Sequence, residues 1–235
     1  MITIENLQKS YGKLQVLKNL SVTFGAGKVV SVIGPNGSGK TTMSKCILGM
    51  VLPHGGDIKI GGESILGQHA YRSQIGYMSQ IGRYPENMKI RQVIQMIRDI
   101  RKDAAEVDEE LIGLYGLKEM YEKRMGALSG GTKQKVSAAL AFMFNPQILI
   151  LDEPTAGLDP VSAEILKSKI LKEKKKGKLI LITSHIMSEV EEVADEVICL
   201  VEGQVKFHET IAGIKAQANE ERLGKAIAKI MKEGD

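Results

Sequence analysis

Eight residues, Gly34-Pro35-Asn36-Gly37-Ser38-Gly39-Lys40-Thr41, constrain this chain more than any other stretch. They stand directly after an apolar, β-branched run, Lys28–Ile33, and directly before helix-patterned sequence, Thr41–Leu52. A glycine-rich turn in that setting converges successive backbone N–H groups, and the positive end of the following helix points the same way. Lys40 adds a point charge, and Thr41, with Thr42 beside it, supplies a hydroxyl able to ligate Mg²⁺. The loop therefore expects a polyphosphate, and it demands a strand buried in a sheet with a helix packed on it.

The rest of the chain follows that grammar. Of its 235 residues 43% are apolar and 26% charged, enough to bury a sizeable core. Ile2–Leu7, Val16–Phe24, Lys28–Ile33 and Asp57–Ile60 read as strands in an opening third rich in β-branched residues. From Gly82 to about Ala127 the pattern turns helical, with Val93, Ile94, Ile97 and Ile100 spaced for one face and Leu111, Leu114 and Leu117 for another. Two fully apolar strand candidates follow, Ile148–Leu151 and Leu179–Thr183, separated by a helix-sized stretch, as in a parallel sheet. Glu196–Val201 and Val205–His208 read as a hairpin, and Leu223, Ala226, Ile227, Ile230 and Met231 as one face of a last helix. That helix, from about Glu220 to Lys232, is expected to dock on its own domain or a dimer mate, with a membrane surface as the alternative.

Two further motifs carry chemistry. Ile148–Leu151 ends in Asp152-Glu153, and adjacent carboxylates at a buried strand end are costly unless a cation or a reaction uses them. Because consecutive strand residues point to opposite sides, Asp152 is expected to hold magnesium and Glu153 to act as general base on water. Leu128-Ser129-Gly130-Gly131 opens a stretch with Val136, Leu140, Met143 and Phe144 at helical spacing. It reads either as a second anion-binding helix end or as a helix start capped by its own serine.

Taken in order, these motifs resemble the nucleotide-binding subunits of ATP-binding-cassette (ABC) transporters over nearly the whole chain. Gly34–Thr41 resembles the Walker A loop, Leu128–Thr132 the family signature, Leu151-Asp152-Glu153 the end of Walker B, Ala156-Gly157-Leu158-Asp159 the D-loop, and Thr183-Ser184-His185 the segment of the switch histidine. The resemblance implies an α/β fold of the P-loop NTPase (RecA-like) type, with an N-terminal antiparallel β subdomain and an inserted α-helical subdomain. It implies residues 1–81 and 146–210 as catalytic core, 82–145 as helical subdomain and 211–235 as C-terminal tail. It further implies ATP and Mg²⁺ as cofactors, Tyr11 stacking on adenine, Gln80 contacting magnesium and coupling the lobes, and Glu153, His185, Lys40 and Gln80 as the catalytic set. In this family two cassettes pair head to tail, so that ATP on one Walker A loop meets Ser129, Gly130 and Gly131 of the other chain, with Asp159 lining the interface. One position departs: the fifth signature residue is usually Gln and here is Thr132.

Ala156–Pro160 looks like exporter-type systems with separate membrane subunits, and Gly131–Lys135 through Ala141–Phe144 is similar to ATPases of copper delivery and nitrous-oxide reductase maturation. The expected partners are integral membrane subunits and a second copy of the chain or a paralogue. The rival reading is a soluble ABC ATPase of cofactor assembly, such as iron–sulfur cluster assembly.

Composition sets further bounds. Cys46 and Cys199 lie too far apart for a disulfide framework or a zinc knuckle, and both are expected in the core. The longest apolar run, Ala138–Phe144, falls far short of the ~20 residues of a membrane span. Met1–Glu5 lacks the basic start of a secretory signal, so residence in the cytoplasm, peripheral on the membrane through partner chains, is expected. A net charge of +4 is mild. The basic run Lys172–Lys178 reads as a solvated helix end, without the interleaved aromatics of a nucleic-acid surface. Met78, Met88, Met96, Met120 and Met125 read as adaptable packing or as a groove for a partner's helix.

Overall fold

The structure, a computed structural model, describes residues 1–80, 82–102, 104 and 106–233. The chain opens with β1 (Ile2–Tyr11) and β2 (Leu14–Phe24), then β3 (Val29–Ile33) and α1 (Lys40–Ile47). Next come β4 (Gly55–Ile60), β5 (Glu63–Ser64) and β6 (Ile75–Met78), followed by α2 (Ile90–Ile100), α3 (Glu110–Leu114) and α4 (Gly130–Phe142). The second half runs β7 (Ile148–Asp152), α5 (Pro160–Lys175), β8 (Leu179–Thr183), α6 (Met187–Val193), β9 (Glu196–Val201), β10 (Gln204–Thr210), α7 (Ile211–Ala218) and α8 (Leu223–Glu233).

Two sheets result. β2-β1-β4-β5 is antiparallel, and the second sheet has the order β10-β9-β3-β8-β7-β6, parallel except for the β9–β10 hairpin. Side-chain alternation in the parallel strands sorts the core into layers. Val30, Val32, Ile148, Ile150, Leu179 and Leu181 face the antiparallel sheet and α1. Val29, Leu149, Leu151, Ile180 and Ile182 face the other way, onto residues of α2, α3, α4 and α5. Each fully buried Ile or Leu in these layers is worth about 1.5–3 kcal/mol. This two-sided burial is why the central strands are continuously apolar.

Several expectations are corrected. α1 stops at Ile47, five residues before Leu52, because Gly49 takes φ +65° and its N–H and that of Met50 bond back to Cys46 and Lys45 carbonyls. Ile75–Met78, not among the strands read from the sequence, is the edge strand β6. Ile100 and Leu114, assigned to buried helix faces, are 71% and 54% exposed, since their helices turn only one flank to the core. The tail docks on its own domain: Ile214, Ala218, Leu223 and Ala226 are buried against Val197 and Cys199.

The basic end of α5 is not simply solvated. Lys169 reaches Glu110 of α3 (2.7 Å) and Glu173 (3.1 Å), and Lys178 pairs with Glu173. Lys169, Glu173 and Lys178 are all buried. Burial opposes the Glu173 charge, yet hydrogen bonds from Lys176, Lys178 and Lys169 hold its carboxyl at about 2. Carboxylates on two elements have drawn lysines inward that the sequence pattern assigns to water. Of the methionines, Met78 and Met125 are buried and Met88 and Met120 pack against the core, in line with the packing reading.

Candidate active site

The topology brings four motifs to one edge. β3, β8, β7 and β6 are neighbours in that order and run parallel, so the segments leaving their carboxyl ends lie side by side. Those segments are the Gly34 loop after β3, His185 after β8, Asp152-Glu153 at the end of β7 and Gln80 after β6. They enclose a cleft of about 270 Å³ lined by Asn36, Gly37, Ser38, Gly39, Lys40, Thr41, Thr42, Gln80, Asp152, Glu153 and His185.

The loop is tightly built. Gly34 sits at φ +143°, and a Cβ there would lie 2.1 Å from the Leu200 carbonyl oxygen, so only glycine fits. The turn of the β9–β10 hairpin supports the loop, its Gly203 N–H donating to the Ser38 carbonyl (3.1 Å). Lys40 Nζ donates to the carbonyls of Gly34 (2.6 Å) and Pro35 (3.1 Å). Gly34 and Pro35 thus frame the loop without lining the cleft. Burial pushes the Lys40 ammonium below its ordinary pKa, while Glu153 and Asp152 pull the other way.

Opposite the loop, Asp152 accepts a hydrogen bond from the Thr183 hydroxyl, its partner in the β7–β8 register. Glu153 departs from the expected strand geometry. It lies beyond the strand with φ +50°, so the two carboxylates separate by a left-handed turn and not by pleat alternation. A non-glycine residue there costs about 1–3 kcal/mol and must be held by its surroundings. Its N–H donates to the Thr183 carbonyl and hydroxyl, both at 3.1 Å, and its carboxylate lies 3.1 Å from His185 Nε2. Burial pushes the Glu153 carboxyl above its usual range and Asp152 adds to this; His185 and Lys40 oppose it.

The donor set fits magnesium. Thr41, Asp152 and Gln80 offer hydroxyl, carboxylate and carboxamide oxygens on one cleft, the hard ligands Mg²⁺ takes alongside phosphate. Ser38 Oγ, in the same loop, is buried with no hydrogen-bond partner among the described residues, an orphan that a phosphate oxygen would satisfy.

Five predicted residues lie elsewhere in this chain. Ser129 and Gly130 are exposed at the start of α4, with Gly131 next to them, and Ser129 Oγ accepts from Thr132 N (3.2 Å) as a helix cap. Asp159 caps α5 through Ser162 N (2.9 Å) and pairs with Lys135 (2.8 Å), contacts that hold its carboxyl far below the usual range. Tyr11, at the end of β1, is 49% exposed and stands outside the cleft, with Lys9 Nζ 5.4 Å from its ring centroid. Leu14 and Val16, on one face of β2, line the cleft and were not predicted. Their period-two spacing beside the Tyr11 turn was the available signal. Thr183 lines the cleft as well, and buried Gln134 on α4 reaches the Glu153 carbonyl (3.3 Å). No sequence pattern marks that contact.

Known proteins resemble this chain in sequence and fold. A family profile described as ABC transporter matches residues 17–156. The chain is 37% identical over 216 residues to the arginine transport ATP-binding protein ArtM of Bacillus subtilis (strain 168), across 87% of this chain and 89% of that protein. It is 33% identical over 205 residues to the lantibiotic transport ATP-binding protein SrtF of Streptococcus pyogenes, again across 87% and 89%. A solved structure of the ATP binding subunit of an ABC transporter superposes with a TM-score of 0.88 at 26% identity, covering 98% of this chain and 99% of that one.

Proposed function

This chain belongs to the ABC transporter family and is an ATPase, and we propose that it works as a head-to-tail pair around two Mg-ATP, driving export through separate membrane subunits. The observation that carries this reading is the split between one cleft, from Asn36 to Thr42 with Asp152, Glu153 and His185, and a helix end at Ser129–Gly131, exposed at Ser129 and Gly130, that stands outside that cleft. A second copy is the natural source of the missing half.

Within the cleft, loop N–H groups and Lys40 hold the phosphate chain, and the apolar pair Leu14 and Val16 forms a wall toward the base with Tyr11 beyond it. Thr41, Asp152 and Gln80 would hold Mg²⁺, which neutralises phosphate charge and orients the transferred group. Glu153 takes the proton of the attacking water, and a carboxyl raised by burial is a better base than an exposed one. His185, within 3.1 Å of that carboxylate, keeps it aimed and donates to the γ-phosphate. Ser129, Gly130 and Gly131 would bind the phosphates held by the partner's loop, with Asp159 at the boundary between copies. The core of 1–81 and 146–210 then supplies the loop and base, and the lobe of 82–145 supplies the helix end. Residue 81 itself lies outside the described residues.

Among the described residues no helix is long and apolar enough to cross a membrane; the reading assigns movement of cargo to partner chains at the membrane's inner face. A groove of about 880 Å³ where the end of α2 meets Arg72 and Phe144, with exposed Ile100 on its rim, supports docking of such a chain. Export is supported by the exporter-like run Ala156–Pro160.

Glu153→Gln is expected to bind ATP normally, lose turnover by about 10²–10⁴-fold and accumulate an ATP-bound dimer. Undiminished phosphate release would sink the assignment. Co-purification from native membranes is expected to recover a multi-span chain; recovery of soluble scaffold proteins alone would favour the cofactor-assembly reading.

A further inference from the structure

The left-handed turn at Glu153 is fastened on one side by Thr183 and on the other by α4. Ala156 N–H donates to the Glu153 carbonyl (3.1 Å), and Gln134 Nε2 donates to the same oxygen (3.3 Å). A carbonyl accepts only donors, so the amide nitrogen and not the amide oxygen of Gln134 must face it. Two more contacts lie on the same face of α4, at the spacing that one helix flank presents. Gly131 packs so closely on the D-loop that a Cβ there would meet the Gly157 carbonyl oxygen at 2.5 Å, and Lys135 pairs with Asp159 (2.8 Å). The first turns of α4 and the segment from Glu153 to Asp159 are therefore fastened to each other at three points.

We propose that Gln134 is a positioning residue for hydrolysis: through the Glu153 carbonyl it ties the orientation of the base serving this chain's own nucleotide to the helix whose tip meets the partner's nucleotide. This rests on the head-to-tail reading above. Gln134 touches neither nucleotide in that arrangement. Its effect must pass through Glu153 of its own chain.

Mixed dimers of full chains separate the possibilities. In one arrangement Gln134→Met sits in one copy and Glu153→Gln in the other, so all turnover depends on the Glu153 beside the altered residue. In the second, both changes share one copy, and turnover depends on the unaltered chain. The expected result is a fall of roughly 10-fold in kcat with KM unchanged in the first arrangement, and the rate of the Glu153→Gln/wild-type control in the second. Gln134→Glu, which keeps the shape and replaces the donor with a carboxylate oxygen, must follow the same pattern. Equal losses in both arrangements, or none in either, overturn the proposal alone. Persistent turnover in a dimer with Glu153→Gln in both copies overturns the reading and the proposal together.

Discussion

The proposed pairing gives the molecule two places for a phosphate chain, and they are built in opposite ways. The Gly34–Thr42 loop is finished: Ser38 is 2% exposed, its carbonyl is held by the Gly203 turn, and Gly34 has no room for a side chain. The tip of α4 is open: Ser129 and Gly130 are exposed, and the Ser129 side chain turns back to cap Thr132 of its own helix. A pocket that needs no partner is paired, in one chain, with a surface that does nothing by itself. The difference teaches that Gly34 and Gly130, in two similar-looking motifs, answer to different constraints, the first to its own fold and the second to whatever it meets.

Alanine substitutions at the glycines test that contrast most severely. Gly34→Ala forces a Cβ onto the Leu200 carbonyl and is expected to cost about 3–5 kcal/mol of stability, visible as a large drop in melting temperature. Gly130→Ala meets nothing within 4 Å and should leave stability within about 0.5–1 kcal/mol of wild type while impairing ATP-driven pairing, read as molar mass by light scattering. Equal melting losses at both positions would erase the distinction.

Ser129→Ala sharpens it. Loss of the cap costs about 1 kcal/mol. A seat for the partner's phosphate should cost more in turnover, on the order of 10²-fold in kcat, because a preorganised donor is lost. A rate that falls no further than stability would reduce Ser129 to a helix cap.

The smallest effect belongs to pH. The Glu153 carboxyl is raised by burial, so across the window from the ordinary carboxylate value up to its folded value the native state holds a proton that the unfolded chain has released. Stability from this group therefore falls as pH rises through that window, while hydrolysis, which needs the ionised base, rises. Thermal melts and phosphate release across mildly acidic pH should move in opposite directions, and Glu153→Gln should abolish the stability component.

What the sequence made legible followed from local rules. The central strands β3, β7, β8 and β9 announced themselves because burial on both faces leaves only apolar, β-branched residues in short runs. The Gly34 loop was legible for a related reason, since its spacing is dictated by backbone geometry. β6 was missed because four residues, with Gly76 among them, carry little propensity and are held by pairing with β7. The left-handed turn at Glu153 was missed because it is imposed by Thr183 and Gln134, residues distant in sequence. Lys178 was misjudged as solvated because its partner Glu173 is polar too, and no periodicity tells a buried ion pair from two surface charges.

That pair has a consequence for handling the protein. Exposed pairs such as Lys59–Glu5 fade in strong electrolyte, where screening acts over about 3 Å at 1 M. The cluster of Lys169, Glu173 and Lys178 is shielded from those ions and joins α5 to α3 regardless of them. A brine wash harsh enough to strip a peripheral subunit from its membrane partners would leave this joint closed. Strong acid would weaken the cluster: the stabilisation from Glu173 is fully present above the ordinary carboxylate range and is lost as pH falls through about 2.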